Sequence, residues 1–528
     1  MPSQPNVLLL FTDQQRADTI SALGNPYLQT PTLDGLVREG VSFTSAYTPS
    51  PVCIAARCSM LLGQWAHQTG CAENSPMPQE RTSLMELLQG AGYQTHGIGK
   101  MHFAPDGQKL WGFDSRDCSE EGGMRPGDDF CDTIRAAGYD HIQDPNGVRS
   151  EWYYVPQPSQ LPARLHHTQW VGDRSLEFLR RRDRDRPFFL WSSFIKPHPP
   201  FESPVPWNRL YKPIEMPFPH TPPGCETLLT YWNRVQNRYK YKDQGLDGNL
   251  VRLTKCAYYA AISFVDYQVG RILGALREAG ELDNTLVIFT RAHGELLGDF
   301  GSWGKRTMLD AAARIPLLVR YPERFAMGER CGEPASLVDV LPTCLGAAGT
   351  EPCATASSSR KALSPGPLGM GTEPPPTERP PAEAQSPIAG VDLARLARGE
   401  AKRDGVVSQY QEGGLGLYAL VTREWKYVYS VPDDREWLFR RAEGQPEVRS
   451  LAGNPAYLGT LAQMRGRLQE WFRRDGYEMP LDGDGWRKFP RQDVPEDPDA
   501  GQLFQEGGSV DGLFPEGYEP RCERGGGI

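Results

Sequence analysis

Unbroken apolar runs predict buried strands at four places in the chain. They are residues 6–12, 187–194, 285–290 and 315–321. Each run is short enough for a strand and is bounded by polar residues. A fifth strand is expected at 93–98, directly after the Gly90-Ala91-Gly92 stretch that ends a helix. Strands that are apolar on both faces are typical of parallel sheets covered by helices on both sides.

Helical spacing of apolar residues fills the stretches between these strands. The longest such stretch is Val251–Ala279, which Gly280 closes. Shorter helices are predicted from Pro31 to Gly40, at 55–62, at 83–89 and at 457–472. This alternation indicates an α/β fold, with a large mixed and mostly parallel sheet sandwiched by helices.

Composition divides the 528 residues into four segments. This length exceeds what one hydrophobic core usually serves, about 250–300 residues. An N-terminal catalytic α/β domain is predicted for 1–353, and a Pro/Ser/Gly-rich insertion without apolar period for 354–387. A small C-terminal α+β subdomain follows at 388–480, with two short strands within 418–430, and a surface tail at 481–528.

Charge and cysteine usage argue against several classes of protein. The chain has 57 Lys and Arg against 66 Asp and Glu, and its net charge of −9 argues against a nucleic-acid-binding protein. The start lacks a basic segment, and no apolar run approaches the roughly 20 residues of a membrane span. The 11 cysteines lack paired CxxC spacing, which argues against a disulfide framework or a zinc ribbon. We therefore expect a cytoplasmic protein.

Polar side chains follow the predicted strands, at the edge where parallel sheets bind their ligands. Asp13 and Gln14 come after the first strand and offer hard oxygen ligands to Ca²⁺ or Mg²⁺. A turn with a solvated glutamine explains the same pair equally simply. The cationic residues at or after the later strands are Lys100, His102, Lys196, His198, His293 and Lys305. Singly, each fits a surface cation or a core histidine; together they predict an anion-binding pocket.

Cys53 precedes a predicted helix that carries Arg57 four residues further on. A helix N-terminus and a guanidinium both stabilise an anion, so they would lower the pKa of this thiol. The alternative is a small buried hydrophobic residue, the usual role of a lone cysteine. Generic catalytic signatures are missing, since the sequence has no GxSxG, no P-loop and no HExxH.

Taken in order, these residues resemble the type I sulfatases of the alkaline-phosphatase superfamily. The resemblance runs through nearly the whole chain. Its most specific blocks are NVLLLFTDQQ, SPVCIAARCSMLLGQ, GYQTHGIGKMHF, FIKPHPPF and HGELLGDFGSWGKRTM. A later stretch beginning LVTREWKYVYS is similar to the small C-terminal sheet domain of that family.

The resemblance implies a sulfuric ester hydrolase with a formylglycine nucleophile, made from Cys53 by a formylglycine-generating or radical maturation enzyme. It also implies a divalent cation, Ca²⁺ or else Mg²⁺ or Mn²⁺, as Lewis acid. The residues implied in catalysis are Cys53, Arg57, Lys100, His102, His198 and Lys305. Those implied in metal binding are Asp13, Gln14, Cys53 and His293.

Two features bear on subclass and activity. Gln14 with His293 resembles the choline-sulfatase and phosphonate monoester hydrolase branch, whereas the GKMH block looks like a true sulfatase. A small or carbohydrate-borne sulfate ester is therefore the expected substrate. Ala292 stands where the family has an Asp ligand, so either the chain is a deliberately altered variant, or its metal site is poor, or Glu295 or Asp299 substitutes. The alternative functions are a phosphonate monoester or phosphodiester hydrolase and an inactive anion-binding relative.

The rim of the pocket is predicted from the irregular stretches 104–170 and 199–250. Aromatic residues cluster there: Trp111, Trp152, Tyr153, Tyr154, Trp207 and Tyr211. Aromatic residues in loops more often pack against their own loop than stack on a sugar, and we expect that here. The sequence does not predict an oligomeric state.

Overall fold

A mixed sheet of eight strands forms the centre of the computed structural model, which describes residues 4–149, 153–241, 247–350, 388–441 and 447–494. The strands of this main sheet are β1 (Asn6–Asp13), β2 (Val41–Phe43), β3 (Gln94–Gly99), β4 (Ser115–Cys118), β5 (Phe188–Pro197), β6 (Thr285–Arg291), β7 (Leu318–Arg320) and β8 (Glu329–Cys331). The predicted insertion 354–387 and the predicted tail beyond 494 lie outside the described residues.

The strands of the main sheet lie side by side in the order β8-β2-β7-β6-β1-β5-β3-β4. The five strands from β6 to β4 are all parallel to one another. Strand β7 is antiparallel to both of its neighbours, which makes the sheet mixed. The predicted sheet type is therefore confirmed. The carboxyl ends of β6, β1, β5 and β3 meet at one edge.

Alternating side chains of the central strand β1 supply two hydrophobic cores. The helices are α1 (Pro31–Glu39), α2 (Cys53–Leu62), α3 (Ala66–Thr69), α4 (Leu84–Gly90), α5 (Asp129–Ala136), α6 (His167–Arg181), α7 (Tyr231–Tyr241), α8 (Gly248–Glu278), α9 (Asp310–Ala313), α10 (Val340–Ala347), α11 (Leu393–Ala397) and α12 (Leu458–Arg474). Val7, Leu9 and Phe11 of β1 pack into one core, together with helices α2, α4 and α10. Leu8 and Leu10 pack into the other, with helices α1, α6 and α8. Both faces of the sheet are thus covered, as the apolar runs predicted.

A second, antiparallel sheet forms the C-terminal part of the described structure. Its strands are β9 (Val406–Tyr410), β10 (Leu417–Val421), β11 (Trp425–Ser430) and β12 (Arg435–Arg440), paired in chain order. Helix α12 packs Leu468 and Phe472 against its inner face, where Tyr418 and Leu420 are buried. Three two-residue strand pairs join Ala46–Tyr47 to Ala335–Ser336, Gln157–Pro158 to Glu202–Ser203, and Leu481–Asp482 to Gly485–Trp486.

Some element bounds differ from the prediction. The helix predicted at 55–62 begins two residues earlier, so Cys53 is its first residue and does not precede it. The strand predicted at 315–321 is cut to Leu318–Arg320, after Pro316, which cannot donate a ladder hydrogen bond. Strand β4 lies at the edge of the sheet and was not predicted, because its sequence SRDC carries no apolar alternation.

Two expectations about the whole chain were tested only within the described residues. There, no helix combines the length and the apolar character that crossing a bilayer would need. All nine cysteines of the described part are free thiols.

Candidate functional site

Four parallel strands bring the predicted site residues to one edge of the main sheet. Asp13 is the last residue of β1, Lys100 follows β3, His198 follows β5, and His293 stands two residues beyond β6. All four side chains are buried, with no more than 1% of their surface exposed. The structure brings these four residues together because neighbouring parallel strands end at the same edge.

Cys53 lies at the centre of this group, at the N-terminus of α2. Its Sγ is 3.0 Å from Nε2 of His293 and 3.0 Å from Nζ of Lys305. Asp13 Oδ1 lies 3.5 Å away and Lys100 Nζ 4.0 Å away. A buried thiol is thus surrounded by polar groups, an environment unlike that of an inert core cysteine.

The cations around Cys53 change the ionisation of both acidic groups. Burial and Asp13 each raise the pKa of Cys53, but Lys100 and Lys305 outweigh them, and the pKa falls to about 6. Burial also disfavours the Asp13 carboxylate, yet Lys100, 2.6 Å from its Oδ2, holds the pKa of Asp13 well below its usual range. The site therefore stabilises negative charge at Cys53 despite its burial.

Arg57 is held rigidly beneath the site. Its guanidinium donates to the carbonyl of Lys100 at 2.6 Å and to Oγ of Ser193 at 3.1 Å. It also pairs with Asp13 at 3.4 Å and lies 4.7 Å above the ring of Phe11. These contacts fix the guanidinium, so little side-chain entropy remains to be lost when an anion binds.

His198 and Lys305 form a pair whose hydrogen bond fixes the tautomer of the histidine. Nζ of Lys305 lies 3.1 Å from Nε2 of His198. A charged ammonium only donates, so Nε2 must accept, and the ring proton is on Nδ1. That nitrogen faces the carbonyl of Pro199 at 2.7 Å and Oε2 of Glu121 at 3.1 Å. Burial lowers the pKa of His198, which favours this neutral form.

Glu121 is a site residue that the sequence analysis missed. Its Oε2 is 2.9 Å from Nζ of Lys100, and it lies in the loop after the unpredicted strand β4. Burial raises the pKa of this carboxyl, but His198 and Lys100 hold it well below the usual range. The only signal in the sequence was the acidic pair Glu120-Glu121 ahead of two glycines.

His102 approaches the site from a strained loop position. Its backbone has a φ of 54°, a left-handed conformation, and its N–H donates to Oε1 of Glu120 at 2.9 Å. The side chain of His102 helps to lower the pKa of the Cys53 thiol. Lys196, by contrast, pairs with Glu202 at 2.8 Å, away from Cys53.

Asp13, Cys53 and His293 form a potential ligand group for a metal ion. Their ligand atoms all lie within 4.8 Å of one another, and all three residues are buried. Gln14 offers a fourth donor atom: its Oε1 is buried without a hydrogen-bond partner among the described residues. The Nε2 atom of Gln14 donates to Glu295, and because a carboxylate only accepts, this contact directs the amide oxygen away from Glu295. The donor set fits a divalent cation.

Neither Glu295 nor Asp299, the carboxylates expected to substitute for the Asp of the family, is free to bind a cation. Both oxygens of Glu295 are engaged, Oε1 by the N–H groups of Leu297 and Gly304, and Oε2 by Gln14 and Tyr154. Asp299 pairs with Arg16 at 2.8 Å. Ala292 itself is fully buried in the apolar core beside the site.

The aromatic residues predicted for the rim of the pocket do not form one cluster. Tyr154 hydrogen-bonds both Gln14 and Glu295 at 3.3 Å, and the ring of Tyr153 lies 6.2 Å from that of His198. Trp111 is buried against Phe103. The other two pack on helix α8: Trp207 stacks on Phe264, and Tyr211 bonds Ser263. Trp152 lies outside the described residues.

Comparison with known proteins gives a consistent result. A family model described as Sulfatase matches residues 5–350. An arylsulfatase of Clostridium perfringens is 32% identical over 372 residues, covering 65% of this chain and 74% of that protein. A choline-sulfatase of Rhizobium meliloti is 27% identical over 474 residues, covering 86% of this chain and 83% of that protein. The structure of a phosphonate monoester hydrolase of Agrobacterium radiobacter has a similar fold, with a TM-score of 0.71 at 21% identity over 89% of this chain and 96% of that one.

Proposed function

Because the chain belongs to the sulfatase family, we propose that it hydrolyses a sulfate ester at the group centred on Cys53. The observation that carries this proposal is the set of cationic and imidazole groups around one buried thiol. Lys305, Lys100 and His293 lie within 4.0 Å of Sγ. Such a cluster is suited to a tetrahedral anion whose charge increases in the transition state.

The nucleophile is proposed to derive from Cys53. Conversion of Cys53 to formylglycine would supply a hydrated aldehyde in place of the thiol. The N-terminus of α2 and the fixed guanidinium of Arg57 would then hold that group in place. A formylglycine-generating or radical maturation enzyme is the partner that this step requires.

Lys100 and Lys305 are proposed to neutralise the sulfate oxygens. Both ammonium groups are buried and need no reorganisation to meet an anion at Cys53, which is where preorganised charge is most effective. His102 and His198 both interact with Cys53, so we propose both for proton transfer at the reacting group. His198 also accepts a hydrogen bond from Lys305, which links it to one of the two ammonium groups.

A divalent cation is proposed to bind to Asp13, Gln14 and His293 beside the residue-53 side chain. When bound it supplies Lewis acidity toward a sulfate oxygen. Gln14 is prepared for this role by Glu295, which orients its amide. With Ala292 in place of a carboxylate, the protein offers one anionic ligand fewer, so we expect Ca²⁺, Mg²⁺ or Mn²⁺ to bind weakly.

Hydrolysis of phosphonate monoesters is the second candidate, and the similar fold of the Agrobacterium radiobacter enzyme favours it. Sulfate and phosphonate monoesters each carry one negative charge at neutral pH, so charge alone does not separate them. A sulfate presents three terminal oxygens, whereas a phosphonate replaces one of them by carbon. Lys100, Lys305 and His293 all lie within 4.0 Å of Cys53 Sγ, enough groups to meet three terminal oxygens, which supports sulfate.

Paired assays test this proposal. Protein co-produced with a maturation enzyme is assayed with an aryl sulfate and with an aryl phosphonate, while intact mass reports the state of Cys53. We expect the aldehyde form at Cys53 and a higher kcat/KM for the sulfate. A higher value for the phosphonate would reverse the order of the candidates. Unmodified Cys53 with no turnover of either ester would favour an inactive anion-binding protein.

Replacing Glu121 with Gln should lower kcat by about 10–100-fold with little change in KM. The carboxylate holds both Lys100 and the Nδ1 side of His198, so its loss loosens two groups needed in the transition state. Steady-state kinetics on the sulfate ester measure the effect, and an unchanged Tm shows that the fold is intact. A rise in KM alone would indicate that Glu121 only assists binding.

A further inference from the structure

The turn that carries Gln14 has an unusual backbone conformation. Gln14 directly follows β1, and its φ is 63°, in the left-handed region. A residue with a Cβ adopts this region only where its surroundings hold it there, because the Cβ is crowded by its own backbone. The same turn determines the direction in which the side chain of Gln14 leaves the strand. Whatever holds the turn therefore also directs this proposed metal ligand.

A hydroxyl group from helix α8 holds this turn at two of its peptide groups. The Oη atom of Tyr258 donates to the carbonyl of Gln14 at 2.6 Å, and it accepts from the N–H of Arg16 at 2.8 Å. A phenol can donate and accept at once, so the two bonds are compatible. Tyr258 is fully buried, and its ring meets that of Phe201 edge-on, with 5.8 Å between the ring centres. The position of the hydroxyl is thus set by the core of the protein.

The amide of Gln14 is held by a second set of contacts. Its Nε2 atom donates to Glu295 and to the hydroxyl of Tyr154, the latter at 3.3 Å. These side-chain contacts determine which amide atom remains for the proposed cation. Tyr258 instead fixes the backbone from which the side chain starts. Placing Oε1 of Gln14 requires both.

Arg16 links this turn to the segment after β6 that carries His293. Its guanidinium donates to the carbonyls of Glu295 and Leu296, at 3.2 Å and 2.9 Å. Tyr258 binds the backbone N–H of this same arginine. Its hydroxyl is therefore connected to both segments that supply proposed metal ligands.

We propose that Tyr258 is a positioning residue for the divalent cation and acts through Gln14. This inference rests on the proposed function, because only there is Gln14 a metal ligand. Groups that orient metal ligands without touching the metal commonly change its affinity by about 10–100-fold. Without the hydroxyl, the Gln14 carbonyl and the Arg16 N–H lose the partner that holds them, so the left-handed turn would relax and Oε1 would move away from the other ligands.

The substitution Tyr258→Phe should weaken Ca²⁺ binding at least about tenfold. The matched control is Tyr93→Phe, at the other end of β1. Tyr93 is also fully buried, and its hydroxyl donates at 2.7 Å to the carbonyl of Pro5, which precedes the first residue of the strand. Both substitutions thus remove a buried tyrosine hydroxyl that binds a backbone carbonyl. We expect similar Tm values for the two variants and a loss of Ca²⁺ affinity in Tyr258→Phe alone.

Calorimetric Ca²⁺ titration measures these affinities, and Mn²⁺ followed by electron paramagnetic resonance extends the measurement to weak binding. A third variant, Gln14→Ala, gives the largest loss that this one ligand can account for. A loss in Tyr258→Phe that reaches about tenfold without exceeding the loss in Gln14→Ala supports the proposal. An unchanged affinity, an equal loss in Tyr93→Phe, or a loss larger than that of Gln14→Ala overturns it. Failure of Tyr258→Phe to fold also overturns it, because the hydroxyl would then serve the whole fold.

The unmodified protein distinguishes this proposal from the proposed function. If it binds Ca²⁺ and hydrolyses an aryl sulfate while Tyr258→Phe binds Ca²⁺ equally well, only the positioning role is wrong. If it binds neither Ca²⁺ nor Mn²⁺, the cation site of the proposed function is wrong and the role of Tyr258 falls with it.

Discussion

Replacing Cys53 with Ala should lower kcat for a sulfate ester by about 10⁶-fold, the size of loss that follows removal of a nucleophile from a preorganised site. No other side chain described within 4.0 Å of this position offers a comparable nucleophile: the neighbours are carboxylate, imidazole and ammonium groups. Single-turnover and steady-state assays of the variant give the loss directly.

Cys58 provides the matched control on the same helix. It is also fully buried, but it packs in the hydrophobic core, and burial raises the pKa of its thiol well above the usual value. We expect Cys58→Ala to cost about 1 kcal/mol of stability while kcat is kept. Equal losses of kcat in both variants would show that disturbing α2, rather than removing a nucleophile, explains the effect.

The sequence was most informative where strand position determines geometry. Asp13, Lys100, His198 and His293 are separated by up to 280 positions, yet each stands at or just beyond the carboxyl end of a strand of the main sheet. These strands are parallel and end at one edge, so the cluster could be predicted before any distance was known. The helix predicted at 55–62 likewise starts within two residues of Cys53, which is the first residue of α2 in the structure.

Residues supplied by loops could not be predicted in this way. Glu121 and the contacts of Tyr154 with Gln14 and Glu295 come from the irregular stretch 104–170, where no period in the sequence fixes the path of the chain. The contact between Gln14 and Glu295 spans 281 positions and depends on two turns, so the sequence left Glu295 open as a metal ligand. The structure shows instead that its oxygens are occupied and that it orients Gln14.

Replacing Ala292 with Asp should tighten Ca²⁺ binding by at least about tenfold, since affinity depends on the number of charged ligands. Ala292 directly precedes His293 and follows the end of β6. Around Cys53 the cations Lys100, Lys305 and Arg57 outnumber Asp13 and Glu121, so an added carboxylate meets a positive field. If cation binding limits the rate, kcat/KM at low Ca²⁺ should rise by the same factor.

The opposite result follows if the new carboxylate faces the core. Ala292 is fully buried among apolar neighbours, within the core that β1 and α2 share. An Asp that cannot reach the cation would be a buried charge without a partner. It would either destabilise the fold by several kcal/mol or take up a proton.

Calorimetric Ca²⁺ titration and thermal unfolding of Ala292→Asp distinguish these outcomes, with Ala292→Asn as the control of equal size and no charge. Tighter Ca²⁺ binding in the Asp variant alone, with a Tm that rises as Ca²⁺ is added, places position 292 at the cation. A lower Tm in both variants with no gain in binding means that the side chain packs into the core. The chain would then depend on Asp13, Gln14 and His293 alone to hold its cation, and the missing carboxylate could not be restored at this position.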